Sequence, residues 1–176
     1  MLDKIRRLIE LSAGEFEHID MQVIAHLDGT RCLLKAWGAR EELQQAGLFH
    51  QAYSKNTIND NKLFSTQQRQ LIAEVIGIEC EQIVYYYCAC DRTHFFNSLL
   101  LNNIPDYVDR FQACAVQLES QLLKDLCEMF VATELELALN DPRNDLLQDN
   151  NFRAFLRKLS PYLSRGANNK VTQLLI

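Results

Sequence analysis

Residues 20–37, DMQVIAHLDGTRCLLKAW, form the stretch that decides the fold class. Their apolar side chains recur at steps of three and four residues, the spacing of one face of an α-helix. The residues expected on the inward face are Val23, Ile24, Leu27, Leu33, Leu34 and Trp37. Gly38 follows directly and suits the end of a helix, because glycine tolerates the left-handed conformation common there. The stretch therefore predicts a buried amphipathic helix, in which Gly29 allows close packing against a neighbouring helix.

The same spacing continues along most of the chain, which has only 6 glycines and 3 prolines in 176 residues. One helix is expected earlier, over about residues 5–12, and ends near Gly14. The helix that follows residues 20–37 begins near Arg40, and its inward face carries Leu43, Ala46, Gly47 and His50. After a polar loop at residues 54–65, we expect a helix at about 66–76, with Ser65 or Thr66 as its N-cap and Gly77 at its end.

The segment at about residues 79–92 contains Tyr85, Tyr86 and Tyr87, which favour a β-strand. A single strand would leave its backbone groups unpaired, so a helix is the favoured interpretation. Further helices are predicted at about residues 105–114, 117–139 and 145–163. The sequence thus predicts an all-α fold with one helical domain over residues 1–165, followed by a loosely held C-terminal tail at residues 166–176.

Composition and charge argue against several classes of function. The chain carries 18 basic and 23 acidic side chains, for a formal net charge of −5, and no basic run is longer than Arg6-Arg7. We therefore expect no nucleic-acid-binding face. The longest apolar run, residues 83–90, is far shorter than the roughly 20 residues that cross a bilayer, so no membrane partner is expected. The basic residues near the start are not followed by the apolar segment of a signal peptide.

The six cysteines, at positions 32, 80, 88, 90, 114 and 127, lie in apolar, helix-like segments. This distribution is typical of reduced cysteines that serve as small core residues, and it predicts a cytoplasmic protein. The spacing Cys88-x-Cys90 differs from the C-x-x-C spacing of redox and zinc motifs.

The histidines, at positions 18, 26, 50 and 94, are the first candidates for a functional site. His26 and His50 lie on the inward faces of two successive predicted helices. Asp91 follows the tyrosine-rich segment and precedes Arg92. Two imidazoles and a carboxylate can hold a first-row metal inside a helical fold. The alternatives are ordinary core histidines, and an Asp91 that pairs with Arg92.

His18 and His94 are harder to assign. His18 precedes His26 by eight residues, which on a continuous helix is about 12 Å of rise. It reaches the same metal only if the chain bends back before it, and otherwise it contacts a substrate or lies outside the ligand set. His94 shares a face with Asp91 if the helix continues past Thr93.

Three stretches carry a resemblance to a known group of proteins: HLDGTRCLLKAWGA (residues 26–39), AGLFHQAY (residues 46–53) and IVYYYCACDR (residues 83–92). The order His26, His50, Asp91 is similar to that in the HD-domain superfamily of all-α metal proteins. More closely, the stretches resemble an uncharacterised bacterial HD-like family with the motifs His-x7-His-Leu-x-Gly-Thr, Ala-Gly-Leu-Phe-His and Cys-x2-Asp-Arg. The resemblance covers about residues 15–95 and implies an HD-like helical bundle.

The resemblance implies a divalent metal ion (iron, manganese or zinc) held by His26, His50 and Asp91, with His18 as a further ligand. It also implies a metal-dependent hydrolase, a phosphohydrolase of a small molecule or nucleotide. HD proteins carry an aspartate directly after the histidine, where this chain has Gln51. An amide binds a hard cation more weakly than a carboxylate does. Two alternatives therefore remain. One is an iron-dependent oxygenase, and the other is a non-catalytic module that binds a small ligand or a protein through a degenerate HD site.

Gln51, Tyr53 and Arg92 are the candidate catalytic residues. Tyr53 follows His50 by about one helical turn, so it either donates its hydroxyl to a metal-bound ligand or is a core tyrosine. Arg92 either pairs with Asp91 or binds a substrate phosphate or carboxylate. The expected partner is a small molecule, phosphorylated or not, and a homodimer is left open.

Overall fold

The computed structural model describes residues 4, 6, 7, 21–54, 64–140 and 145–175. The first predicted helix, His18 and most of the polar segment 54–65 lie largely or wholly outside these residues. The α-helices are α1 (Met21–Ala36), α2 (Glu41–Phe49), α3 (Arg69–Ile76), α4 (Ile78–Ala89), α5 (Arg92–Asn102), α6 (Ser120–Asn140), α7 (Asp145–Gln148), α8 (Asn150–Leu159) and α9 (Arg165–Leu175). Short 3-10 turns span Thr66–Gln68 and Ser160–Tyr162. The predicted all-α fold is confirmed.

The sheet is a single antiparallel hairpin within the described ranges. Strands β1 (Val108–Asp109) and β2 (Cys114–Ala115) pair Val108 with Ala115 and Asp109 with Cys114. The hairpin also holds the end of α4, because Asp91 N donates to Val108 O at 3.0 Å and Arg110 N donates to Ala89 O at 2.8 Å. It thereby fixes the turn between α4 and α5.

Several helix ends follow from local sequence. Gly38 and Gly77 have positive φ angles of 76° and 102°, which only glycine adopts at low cost. The Ser65 hydroxyl accepts a hydrogen bond from Gln67 N, and Gln68 Oε1 accepts one from Ser65 N, which completes a capping box. Asn103, in the left-handed conformation, ends α5. These caps agree with the predicted boundaries around residues 37, 65 and 77.

The longest helix, α6, lies at the centre of the described structure. It contacts α1, α2, α4, α7 and α8, and Leu126, Met129 and Leu135 are fully buried on it. Because neighbours surround it, α6 also buries polar side chains, among them Asp125, Glu128, Thr133 and Glu136. Buried polar groups need hydrogen-bond partners, so this helix organises the interior polar contacts. No helix in the described part of the chain is long and apolar enough to cross a membrane.

Three predictions about single segments are wrong. Ile24 is 46% exposed, since it lies roughly 120° around α1 from the fully buried Thr30. Residues 105–114 form no helix, because the chain after Pro105 pairs as the hairpin. The predicted helix over 79–92 ends at Ala89, and a new helix begins at Arg92.

The C-terminal segment is packed rather than loosely held. Residues 165–175 form α9, which buries Ala167 and Val171. Ser164, just before it, donates to the buried Glu128 carboxylate from its N (2.8 Å) and its Oγ (3.0 Å). The predicted helix over 145–163 is also divided, into α7, α8 and the turn at Ser160–Tyr162. Ala167, Val171, Leu174 and Leu175 recur at helical spacing, so the sequence carried a signal for this helix that the prediction missed.

All six cysteines are free thiols. Burial raises the pKa of both Cys80 and Cys90 to about 12, as expected for inert core thiols. Cys32 and Cys114 differ from the prediction, because they are exposed. Cys32 lies on the outer face of α1, and Cys114 lies on a strand of the small hairpin.

Candidate functional site

The structure brings His26 of α1 and His50, at the end of α2, into direct contact. Their ring centroids are 5.1 Å apart, and the ring planes are inclined at 83°. His50 is buried with 2% of its surface exposed, and its ring also makes an edge contact with the ring of Tyr87, at 5.3 Å. The predicted inward direction of both histidines is therefore correct.

Each of the two histidines uses Nδ1 for a hydrogen bond within the protein. His50 Nδ1 donates to Gly47 O at 2.8 Å. Burial, together with the nearby His26 and Arg92, lowers the pKa of His50 from its ordinary value of 6.5 to about 3. The ring is therefore neutral near pH 7, with its proton on Nδ1 and its lone pair on Nε2.

His26 Nδ1 pairs with Glu136 Oε2 of α6. Asn140 Nδ2 in turn donates to Glu136 Oε1 at 2.5 Å and holds the carboxylate in place. Gly29 makes this approach sterically feasible, because a Cβ at that position would lie 2.7 Å from Glu136 Oε1. The expected close packing at Gly29 is thus confirmed, with a carboxylate as the neighbour.

This arrangement fits the protein environment of metal-binding histidines. A ligating imidazole usually donates its other ring N–H to a carboxylate or a backbone carbonyl, as His26 and His50 both do. Two imidazoles bound through Nε2 to one tetrahedral zinc would place their ring centroids about 5 Å apart, from Zn–N distances of about 2.0–2.1 Å and roughly 1.2 Å to the ring centre. The observed separation agrees, although an edge-to-face ring pair spans the same range, about 4.5–7 Å.

Thr30 adds a buried hydroxyl one helical turn after His26. Its Oγ1 is the only buried side-chain nitrogen or oxygen without a hydrogen-bond partner among the described residues. Buried hydroxyls are nearly always satisfied, by protein or by a bound molecule. Thr30 lies on the same face of α1 as His26, because residues four apart are neighbours on a helix.

Asp91 does not join the histidine pair. Its carboxylate accepts a hydrogen bond from His94 N at 3.0 Å and caps α5. The physical reason is that α4 ends at Ala89, so Asp91 occupies the N-cap of the next helix. Within the described ranges, no three His, Cys, Asp or Glu side chains are arranged to hold a metal ion. His94 is exposed, and its Nε2 pairs with Asp106 at 2.9 Å, away from the pair.

Tyr53 contacts an ion pair between Glu81, which is buried, and Arg69, which is half-buried. Its hydroxyl donates to Glu81 Oε1 at 2.7 Å, and Arg69 donates to both carboxylate oxygens, from Nε at 2.7 Å and from Nη2 at 2.9 Å. The Arg69 guanidinium carbon lies 3.5 Å from the centroid of the Tyr85 ring. Burial and the Glu81 contact raise the pKa of Tyr53, so the hydroxyl stays protonated. These contacts favour the core-tyrosine interpretation. Gln51, half-buried, follows His50 in the turn after α2.

Arg92 lies at a cleft of about 560 Å³ beside the histidine pair. The cleft lies between the end of α4, the start of α5 and the hairpin, and its lining includes Ser54, Tyr87, Asp91, Arg92, Thr93 and Arg110. The Arg92 guanidinium carbon is 4.7 Å from the centroid of the Tyr87 ring. Because the ring of Tyr87 also contacts His50, this tyrosine connects the cleft with the histidine pair. Arg92 pairs with Glu134 at 3.8 Å rather than with Asp91.

Sequence reasoning missed Glu136, Asn140 and Arg110. Glu136 is 110 residues from His26, so no local spacing connects them. The local signal was ambiguous, because α6 carries four carboxylates, those of Asp125, Glu128, Glu134 and Glu136, and the sequence does not show which of them meets His26. Arg110 lies in the segment 105–114, which was predicted to be a helix. Because this segment forms the hairpin instead, the sequence did not indicate that Arg110 lines the cleft.

Residues 7–92 match the model of a family described as a domain of unknown function, DUF6817. The matched segment contains His26, His50, Asp91 and Arg92, but it ends before α6 and Glu136. No curated protein and no solved structure matches the chain. The family description names no reaction, so both the relation to the HD superfamily and a metal-dependent activity stay predictions.

Proposed function

We propose that this protein binds a divalent transition metal ion (zinc, iron or manganese) through Nε2 of His26 and Nε2 of His50. We further propose that it hydrolyses a phosphorylated small molecule at that site. One observation carries the proposal: both rings use Nδ1 for a hydrogen bond to a carboxylate or a carbonyl, and both thereby keep Nε2 for a ligand.

The surrounding groups fix the tautomer and the orientation of the two rings before a metal binds. The Gly47 carbonyl fixes the tautomer of His50, and burial keeps its ring neutral, which is the form that binds a metal. Glu136, held by Asn140, orients His26. His18 is the candidate for a third protein ligand, on the strength of the sequence resemblance alone. When bound, a divalent ion supplies Lewis-acid polarisation of a phosphoryl oxygen and an acidified water.

A second candidate function is a non-catalytic module that binds a small ligand beside the histidine pair. Two features favour it. Gln51 stands where HD proteins carry a carboxylate, and the described residues supply no third His, Cys, Asp or Glu to the pair. The two candidates differ in whether a metal is bound.

The test is the metal content of protein purified without added metal, followed by calorimetric titration of the chelator-treated protein with zinc, manganese and iron(II). His50→Asn is the sharpest variant, because the asparagine amide can still donate to Gly47 O but offers nothing at the position of Nε2. We expect this variant to lose metal binding and keep its helical circular dichroism spectrum. Glu136→Gln should bind metal roughly 10- to 100-fold more weakly.

His94→Asn is the matched control, since it removes an exposed imidazole away from the pair. It should bind metal like the wild type. Hydrolysis of p-nitrophenyl phosphate and of bis-p-nitrophenyl phosphate by the metal-loaded protein tests the reaction class. Wild-type protein that binds none of the three metals would refute the proposal and leave the ligand-binding module.

A further inference from the structure

We propose that Arg92 and Arg110 together form a binding site for the phosphate group of a small molecule, in the cleft between α4, α5 and the hairpin. The proposal specifies the ligand class of the function proposed above and rests on it for the connection with hydrolysis. Anion binding itself needs only the two arginines.

Arg92 is held in position but makes few polar contacts. Its guanidinium carbon lies 4.7 Å from the centroid of the Tyr87 ring and 5.3 Å from that of the Phe130 ring. Guanidinium groups stack favourably on aromatic rings in this way. Its nearest carboxylate oxygen, Glu134 Oε1, is 3.8 Å away, which is beyond hydrogen-bond distance. The guanidinium N–H groups of Arg92 therefore make no hydrogen bond to the residues that the structure describes.

Arg110 is anchored by one of its nitrogens. Its Nε donates to Cys88 O at 2.9 Å, and its guanidinium carbon lies 5.2 Å from the Phe111 ring centroid. Its two Nη groups make no hydrogen bond to the residues that the structure describes. Such an arginine is oriented in advance, so little side-chain entropy is lost when its Nη groups bind an anion.

Charge and size favour a phosphorylated small molecule. Two guanidinium groups line the cleft against one carboxylate, that of Asp91, and Asp91 already accepts a hydrogen bond from His94 N. Ser54 and Thr93 line the same cleft. A phosphate carries up to two charges and several acceptor oxygens, which two arginines match better than they match a single carboxylate. The volume of about 560 Å³ falls within the roughly 300–1,000 Å³ of small-molecule sites.

The experiment is a ¹H–¹⁵N NMR titration of the chelator-treated, full-length protein with inorganic phosphate at constant ionic strength. We expect saturable shifts of the amide signals of Arg92 and Thr93 and of the Arg110 side-chain Nε–H. Arg110→Gln should weaken phosphate binding about tenfold, the usual effect of losing one charge-assisted hydrogen-bonding partner. Glu134→Gln should strengthen it, because the carboxylate that competes for Arg92 is removed.

Arg157→Gln is the control for net charge, since Arg157 is exposed in the last turn of α8. It should leave phosphate affinity unchanged. Shifts that do not saturate, or equal affinities for Arg110→Gln and Arg157→Gln, would overturn the proposal. The metal titration is independent of this result. A wild-type protein that binds phosphate but none of the three metals would refute only the proposed hydrolase.

Discussion

Replacing His50 with asparagine tests how much of the acid sensitivity of this protein comes from one buried imidazole. In the folded protein the pKa of His50 is lowered to about 3, first by burial and then by the charges of His26 and Arg92. In the unfolded chain the same group takes up a proton below about pH 6.5. Between these values the unfolded state binds more protons, so the free energy of unfolding falls as the pH is lowered.

The magnitude follows from the two pKa values. At pH 5 the unfolded imidazole is almost fully protonated and the folded one is neutral, which costs the folded state about 2 kcal/mol relative to pH 7.5. For a chain of this length, that corresponds to a decrease of roughly 4–8 °C in the melting temperature. The His50→Asn variant lacks the titrating group. Between pH 7.5 and pH 5, the free energy of unfolding of the variant should therefore fall by about 2 kcal/mol less than that of the wild type.

The assay is urea denaturation followed by circular dichroism, with chelator present, at pH 7.5 and pH 5.0. Comparing each variant with itself at the two pH values cancels any packing defect that the substitution introduces. His94→Asn is the control, because an exposed ion pair contributes little to stability. If His50→Asn and the wild type lose the same stability on acidification, His50 is not a buried neutral imidazole and the reasoning fails.

Two further predictions concern the packing of α9 and the ion pair between Arg69 and Glu81. Gly166→Ala should destabilise the protein by at least about 2 kcal/mol in urea denaturation, because its Cβ would lie 1.9 Å from the backbone oxygen of Trp37; a near-neutral effect would contradict the observed packing of α9. Glu81→Ala should cost about 1–3 kcal/mol in guanidinium denaturation, since it leaves the buried Tyr53 hydroxyl without an acceptor and Arg69, whose side chain is 34% exposed, without its carboxylate. A loss below about 1 kcal/mol would mean that solvent already satisfies Arg69.

The sequence by itself determined the helical elements whose signals are local. Ser65 caps the start of its helical turn with its side chain, and Gly77 ends α3 through its backbone conformation. Apolar spacing was enough to place α2 and α6 within a few residues. The tyrosine-rich segment was correctly predicted as a helix because an isolated strand has no hydrogen-bonding neighbour. The inward direction of His26 and His50 followed from the same helical period.

Tertiary structure alone decided which groups those inward side chains meet. Glu136 reaches His26 across 110 residues, and Glu81 rather than a metal-bound ligand receives the Tyr53 hydroxyl. Asp91 was ambiguous in sequence, because a carboxylate after a helix serves equally as a ligand or as the N-cap of the next helix. Likewise the place of α9 depends on contacts with distant parts of the chain, such as the close approach of Gly166 to the backbone of Trp37. Periodicity specifies the face of a helix, whereas the partner on that face depends on how distant segments pack.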